Sequence, residues 1–95
     1  MAQVEITRVA VEDLDRLIAT LSLPADTRQR VQSCLTPLSV HPLLGPALAG
    51  RWQPLRVLLG PWRWMLLLYE DDQQADRVVI VTVQDARRPV ESTAS

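Results

Sequence analysis

The spacing of apolar residues changes along this chain, and that limits what it can fold into. After a brief alternating start they recur at helical intervals from Val11 to Leu38; beyond Gly50 they alternate. A helix buries a stripe and a strand buries one face, so the two periods mark two kinds of element. Helices grouped in one half and strands in the other must cover each other in two layers, which is the α+β solution.

The pattern resolves further. Val4-Glu5-Ile6-Thr7-Arg8-Val9 alternates briefly and reads as a short first strand. Leu14, Leu17, Ile18 and Leu21 form the stripe of a first helix, with Glu12, Asp13 and Asp15 in its opening turns. A second helix is expected to follow Ser22-Leu23 with Pro24 in its first turn, carrying Val31, Cys34, Leu35 and Leu38 on one face. Pro37 should end or kink it. After a connection marked by His41-Pro42 and Gly45-Pro46, three strands are expected. They are Arg51–Leu59 (interrupted at Pro54), Trp62–Glu70 and Arg77–Val83, with a Gly60-Pro61 turn and a polar loop at 71–76 between them. The expected fold is therefore β-α-α-β-β-β, a helical hairpin packed on one face of a mostly antiparallel four-stranded sheet. Residues 1–95 read as one domain, with 88–95 as a frayed tail.

Several chemistries lack the residues they need. One cysteine and one histidine offer neither a disulfide nor a zinc centre, and three scattered glycines make no phosphate-cradling loop. No metal and no cofactor are expected. The N-terminus has no basic start followed by a long apolar stretch, and no apolar run approaches the ~20 residues that span a bilayer. The expectation is a cytoplasmic protein that does not engage membranes. Cys34 lies on an apolar stripe and reads as core, and His41 as structural or surface.

Charge is more informative than its total of -1. Residues 27–69 hold Arg28, Arg30, Arg51, Arg56 and Arg63 and no acid, whereas 70–76 hold Glu70, Asp71, Asp72 and Asp76. All ten basic residues are arginine. Arg56 lies on the first of the three consecutive strands, Arg63 opens the second, and Arg87-Arg88 follow the third. Antiparallel pairing can bring these guanidinium groups to one end or face of the sheet, where they would bind phosphate bidentately. The competing reading is a solvated or ion-paired surface, with the acidic loop as partner. Trp52, Trp62 and Trp64 flank Arg51 and Arg63, permitting base stacking or cation–π contact. Trp64 shares the alternation of Leu66 and Leu68 and reads as core.

The ordered set of Glu12-Asp13-Leu14, His41-Pro42, Leu48-Ala49-Gly50, Gly60-Pro61-Trp62-Arg63 and Asp85-Ala86-Arg87-Arg88 resembles the RelE/ParE superfamily of bacterial toxins over roughly residues 3–89. The resemblance implies the toxin half of a type II toxin–antitoxin pair, neutralised by a small antitoxin. The target it implies is the ribosome and its mRNA in the RelE-like branch, or DNA gyrase in the ParE-like branch. It also implies Arg63 and Arg87 as the catalytic arginines. Arg56, Arg63, Arg87, Arg88 and Trp62 become the phosphate- or RNA-binding set. Residues 84–95 contain no tyrosine or histidine, and the chain has no lysine, so the acid–base part of a RelE-like nuclease is missing. The alternative is a non-catalytic interaction module on the same fold, pairing with an antitoxin-like chain or with itself as a homodimer.

Overall fold

The computed structural model describes residues 2–87; the expected tail at 88–95 lies outside them. Strand β1 (Gln3–Ile6) leads to helices α1 (Arg8–Leu21) and α2 (Thr27–Leu35). Strands β2 (Arg56–Leu59), β3 (Met65–Asp72) and β4 (Arg77–Asp85) follow. Short 3-10 turns occupy Thr36–Ser39 and Gly50–Trp52. The sheet order is β1-β4-β3-β2, with β1 parallel to β4 and the other pairs antiparallel. This is the expected α+β plan, with the helices on one face of the sheet.

Threonine 7 explains why the first helix starts earlier than the alternation suggests. Its hydroxyl oxygen accepts the Ala10 N–H at 3.1 Å, capping α1. The same hydroxyl donates to the carbonyls of Ile80 and Val81, both at 3.0 Å, which pins the cap to β4. Strand β1 therefore ends at Ile6, and Arg8 and Val9 are helical. Beyond the end of β1, the Asp13 carboxylate accepts from the Thr82 hydroxyl and from the Val83 N–H. A side chain of α1 thus supplies the partner that an absent strand would have given.

Helix α1 stops where Ser22 turns left-handed at φ 52° and Leu23 N–H reaches back to the Ile18 carbonyl at 3.1 Å. Helix α2 then begins at Thr27 rather than around Pro24. Thr27 donates both its N–H, at 3.1 Å, and its hydroxyl, at 2.6 Å, to the Pro24 carbonyl, closing a separate turn. Pro37 acts as expected: regular helix ends at Leu35 and continues only as a 3-10 turn. An Arg28–Asp15 ion pair links the two helices.

Two strand expectations need correction. Only Arg56–Leu59 of the expected Arg51–Leu59 strand pairs with β3, because Pro54 has no N–H to donate and Gly50–Trp52 coils into a turn. The middle strand runs Met65–Asp72 rather than Trp62–Glu70. Trp62 and Trp64 belong to the preceding turn, closed by Met65 N–H to the Trp62 carbonyl and Gly60 N–H to the Met65 carbonyl. A bulge at Leu68/Tyr69 leaves Val81 without an opposite residue, so β4 changes phase there.

The core lies between the helices and one sheet face. Ala10 and Leu14 from α1, Val31 and Leu35 from α2, and Leu38 meet Met65, Leu67, Tyr69, Val78, Ile80 and Val83 from the strands. Leu17, Ile18 and Cys34 pack at its margin. Partial burial pushes the Cys34 thiol above its ordinary pKa. Tyr69 is fully buried and its phenol oxygen accepts the Gly45 N–H at 2.9 Å. Tyr69→Phe should therefore cost about 1–3 kcal/mol, because it strands a buried donor. Thermal melts would check this, and an unchanged midpoint would mean that Gly45 finds another acceptor.

Candidate functional site

Strand register sorts the expected site residues between the two ends of the sheet. Leu59 pairs with Leu66, and Met65 pairs with Asp85, so the Gly60–Trp64 turn and the exit of β4 share one end. Ala86 N–H extends that ladder to the Trp64 carbonyl at 2.7 Å. Arg63 and Arg87, each two residues beyond the Met65–Asp85 pair, are thereby brought to the same end. Arg56 is not. It pairs with Tyr69 near the other end, its Nη1 donates to the Gly45 carbonyl at 2.8 Å, and it borders a cleft with Glu70, Asp71 and Asp72. The expected convergence of strand arginines thus holds for Arg63 and Arg87; Arg88 lies outside the described residues.

The two tryptophans organise this end. Trp62 and Trp64 stack with ring centroids 5.9 Å apart and planes 15° from parallel. The Arg87 guanidinium carbon lies 4.1 Å from the Trp64 centroid, and that of Arg30 lies 5.9 Å from Trp62. The row runs Arg30, Trp62, Trp64, Arg87, from α2 across the turn to the end of β4. Trp64 sits in a turn at the core margin and not on a core strand face with Leu66 and Leu68, which lie on the opposite face of the sheet from Met65, Leu67 and Tyr69. Trp52 belongs elsewhere, beneath the Arg51 guanidinium at 5.5 Å.

The three cations at this end are held differently. Arg30 is tied to Asp26 at 2.9 Å. Arg87 donates its Nε–H to Asp85 Oδ1 at 3.2 Å and Nη2 to Oδ2 at 3.4 Å, while its backbone N–H bonds Oδ1 at 2.9 Å. Arg63 is exposed and has no ion pair or hydrogen bond among the described residues. The same end of the sheet thus carries one guanidinium open to solvent and one fixed over a ring, the chemistry that grips phosphate. The one tyrosine of the chain, Tyr69, is buried near the opposite end, and residues 84–95 hold no histidine or tyrosine that could complete an acid–base pair. The described residues contain no group of three or more His, Cys, Asp or Glu placed to hold a metal ion.

Sequence reasoning missed Arg30 and Asp85. Arg30 reaches the site through tertiary packing and leaves no local signal. Asp85 does leave one: an Asp two residues before an Arg can turn back to bond its backbone N–H, as it does here. The opposite sheet face carries a second feature, an apolar groove of about 630 Å³ bordered by Leu44, Pro46, Leu48, Trp52, Leu66 and Leu68. No helix among the described residues is long and apolar enough to cross a membrane.

Neither a protein-family model nor a curated protein matches this chain. Solved structures do. The isolated RelE toxin of E. coli superposes with a TM-score of 0.68 at 16% identity, covering 99% of this chain and 95% of that one. The chromosomal ParDE system of P. aeruginosa gives 0.68 at 16%, covering 90% and 96%. The RelBE2 toxin–antitoxin complex of Mycobacterium tuberculosis gives 0.61 at 24%, covering 88% and 96%. The chain shares the fold of RelE- and ParE-type toxins, and RelE and ParDE match it equally well.

Proposed function

We propose that residues 1–95 form a single toxin domain of a type II toxin–antitoxin pair, neutralised by a small antitoxin and acting by gripping its target rather than cutting it. The observation that carries this reading is the arginine end of the sheet. Arg63 stands open at the same end of the sheet as Arg87, with Trp62 and Trp64 between Arg87 and Arg30; the chain has no lysine, and its one tyrosine, Tyr69, is buried near the other end. Arginine stabilises negative charge but does not shuttle protons near neutral pH. A RelE-like nuclease needs both functions, so this end fits a ParE-like poison of DNA gyrase better than an mRNA-cleaving enzyme.

Induction in a bacterial host tests the branch. Growth arrest with filamentation, DNA damage and intact messages is the expected outcome. Cleaved messages would replace the branch, and unimpaired growth would end the toxin reading. Arg63→Ala should abolish the arrest while moving the melting temperature by no more than ~4 °C, because an exposed substitution is worth about ±0.5 kcal/mol. A large loss of stability would show Arg63 to be structural.

A second reading has its own observation, the apolar groove on the sheet face away from the helices. A module kept only for partner binding would use that surface and leave the arginine end idle. Co-purification with a small acidic protein encoded alongside supports the toxin pair; a self-associated dimer without growth arrest supports the module.

A further inference from the structure

The least ordinary group at the arginine end is the carboxylate of Asp85. Its side chain is only 5% exposed, yet it faces a guanidinium that is 54% exposed. It receives the backbone N–H of Arg87 and both hydrogens of one edge of the same residue's guanidinium, Nε at 3.2 Å and Nη2 at 3.4 Å. Trp64 lies under the plane of that guanidinium at 4.1 Å. Trp64 is itself fixed, by its stack on Trp62 and by the bond from Ala86 N–H to its carbonyl.

A carboxylate and an indole constrain an arginine in complementary ways. Pairing along the Nε–Nη2 edge sets the rotation of the guanidinium within its plane, and the ring sets the plane. Five N–H hydrogens surround a guanidinium, and those of Nη1 with the outer one of Nη2 have no partner among the described residues. They form a second fork, the geometry that matches a phosphate. We infer that Asp85 and Trp64 are positioning residues that hold Arg87 with this outer fork turned toward a phosphate group. Arg63, unconstrained, adapts to the ligand, while Arg87 is set before the ligand arrives. The rotamer freedom that a solvent-exposed arginine loses on binding is already spent in the fold.

This inference rests on the reading of Arg87 as a phosphate-gripping residue, and inorganic phosphate tests it without reference to cellular activity. Arginine Nε–H resonances of the 15N-labelled protein are followed during a phosphate titration. In the wild type the Arg87 resonance should stand apart from the free-arginine position and should saturate with phosphate. Asp85→Asn should return it toward the free position and weaken phosphate binding about fivefold, the worth of one side chain's immobilisation. Trp64→Leu leaves the carboxylate intact and should weaken binding to a similar extent, which covers the case in which Asp85→Asn fails to fold. In an Arg87→Ala background neither substitution should weaken binding further. The inference is overturned if the wild type does not take up phosphate through Arg87. It is equally overturned if both variants bind phosphate as tightly as wild type, or if their losses persist without Arg87. Absence of growth arrest alongside a positive titration would remove the toxin reading and leave the positioning of Arg87 standing.

Discussion

Gly45→Ala is expected to lower the melting temperature by about 10–20 °C, a loss of roughly 2–3 kcal/mol for a domain of this size. A methyl group at this position would sit 2.1 Å from the Val57 carbonyl oxygen and 2.9 Å from its carbon, with the Tyr69 ring at 3.2 Å. The obstruction is strand backbone, and β2 cannot withdraw because Val57 is paired with Leu68 in β3. Nor can residue 45 move freely. Its N–H is held by the Tyr69 phenol at 2.9 Å and its carbonyl by Arg56 at 2.8 Å. Relief requires the segment to lift away, breaking both bonds and exposing the Tyr69 phenol. Gly50 is the natural comparison. Its φ of +69° makes a side chain unfavourable, but nothing lies within 4 Å of the added carbon. Gly50→Ala should therefore cost only the left-handed penalty of about 1–2 kcal/mol. A Gly45→Ala melt within ~3 °C of wild type would show that the loop shifts more easily than its hydrogen bonds imply.

Leu67→Ala is expected to cost about 2–5 kcal/mol. Leu67 is fully buried at the middle of β3, with Leu58 and Val83 beside it in register on the neighbouring strands. Truncation leaves a void walled by paired strands on either side, and paired strands collapse poorly into a gap. Leu59→Ala, in the neighbouring β2 but 54% exposed, should stay within about 0.5 kcal/mol. Urea unfolding of both variants checks the contrast. The midpoint should fall steeply for the first with its slope unchanged, since the surface exposed on unfolding is nearly the same.

The element order was legible because periodicity is local: the stripe at Leu14 and Leu17 and the alternation after Gly50 belong to neighbouring residues. Boundaries were legible only where the deciding group was local too. Pro37 ended its helix as its missing N–H requires. Threonine 7, by contrast, became a cap because it is pinned to carbonyls more than seventy residues away. The bulge that displaces Val81 arises from pairing with β3, and no composition announces it. The same division runs through the site. Arg63 and Arg87 were picked out by their places beside strands, and register brings them to one end. Arg56 looked equivalent in sequence, yet an antiparallel strand carries its first and last residues to opposite ends. The tryptophan stack depends on a turn geometry that alternation misread as strand.

An excess of arginine over acid at one end of β3, and of acid over arginine at the other, bears on how the protein meets a charged target. The strand has 8 residues, so the Trp62–Trp64 end and the Glu70–Asp72 end are about 25 Å apart. At physiological ionic strength the Debye length is about 8 Å. A polyanion at the arginine end is thus shielded from the acidic loop, and the molecule behaves in close encounters as a body with a cationic pole. Further out, the opposed poles make a dipole that turns the arginine end forward as the two approach. Association should slow as salt is raised, at a near-neutral net charge that by itself would leave the rate flat.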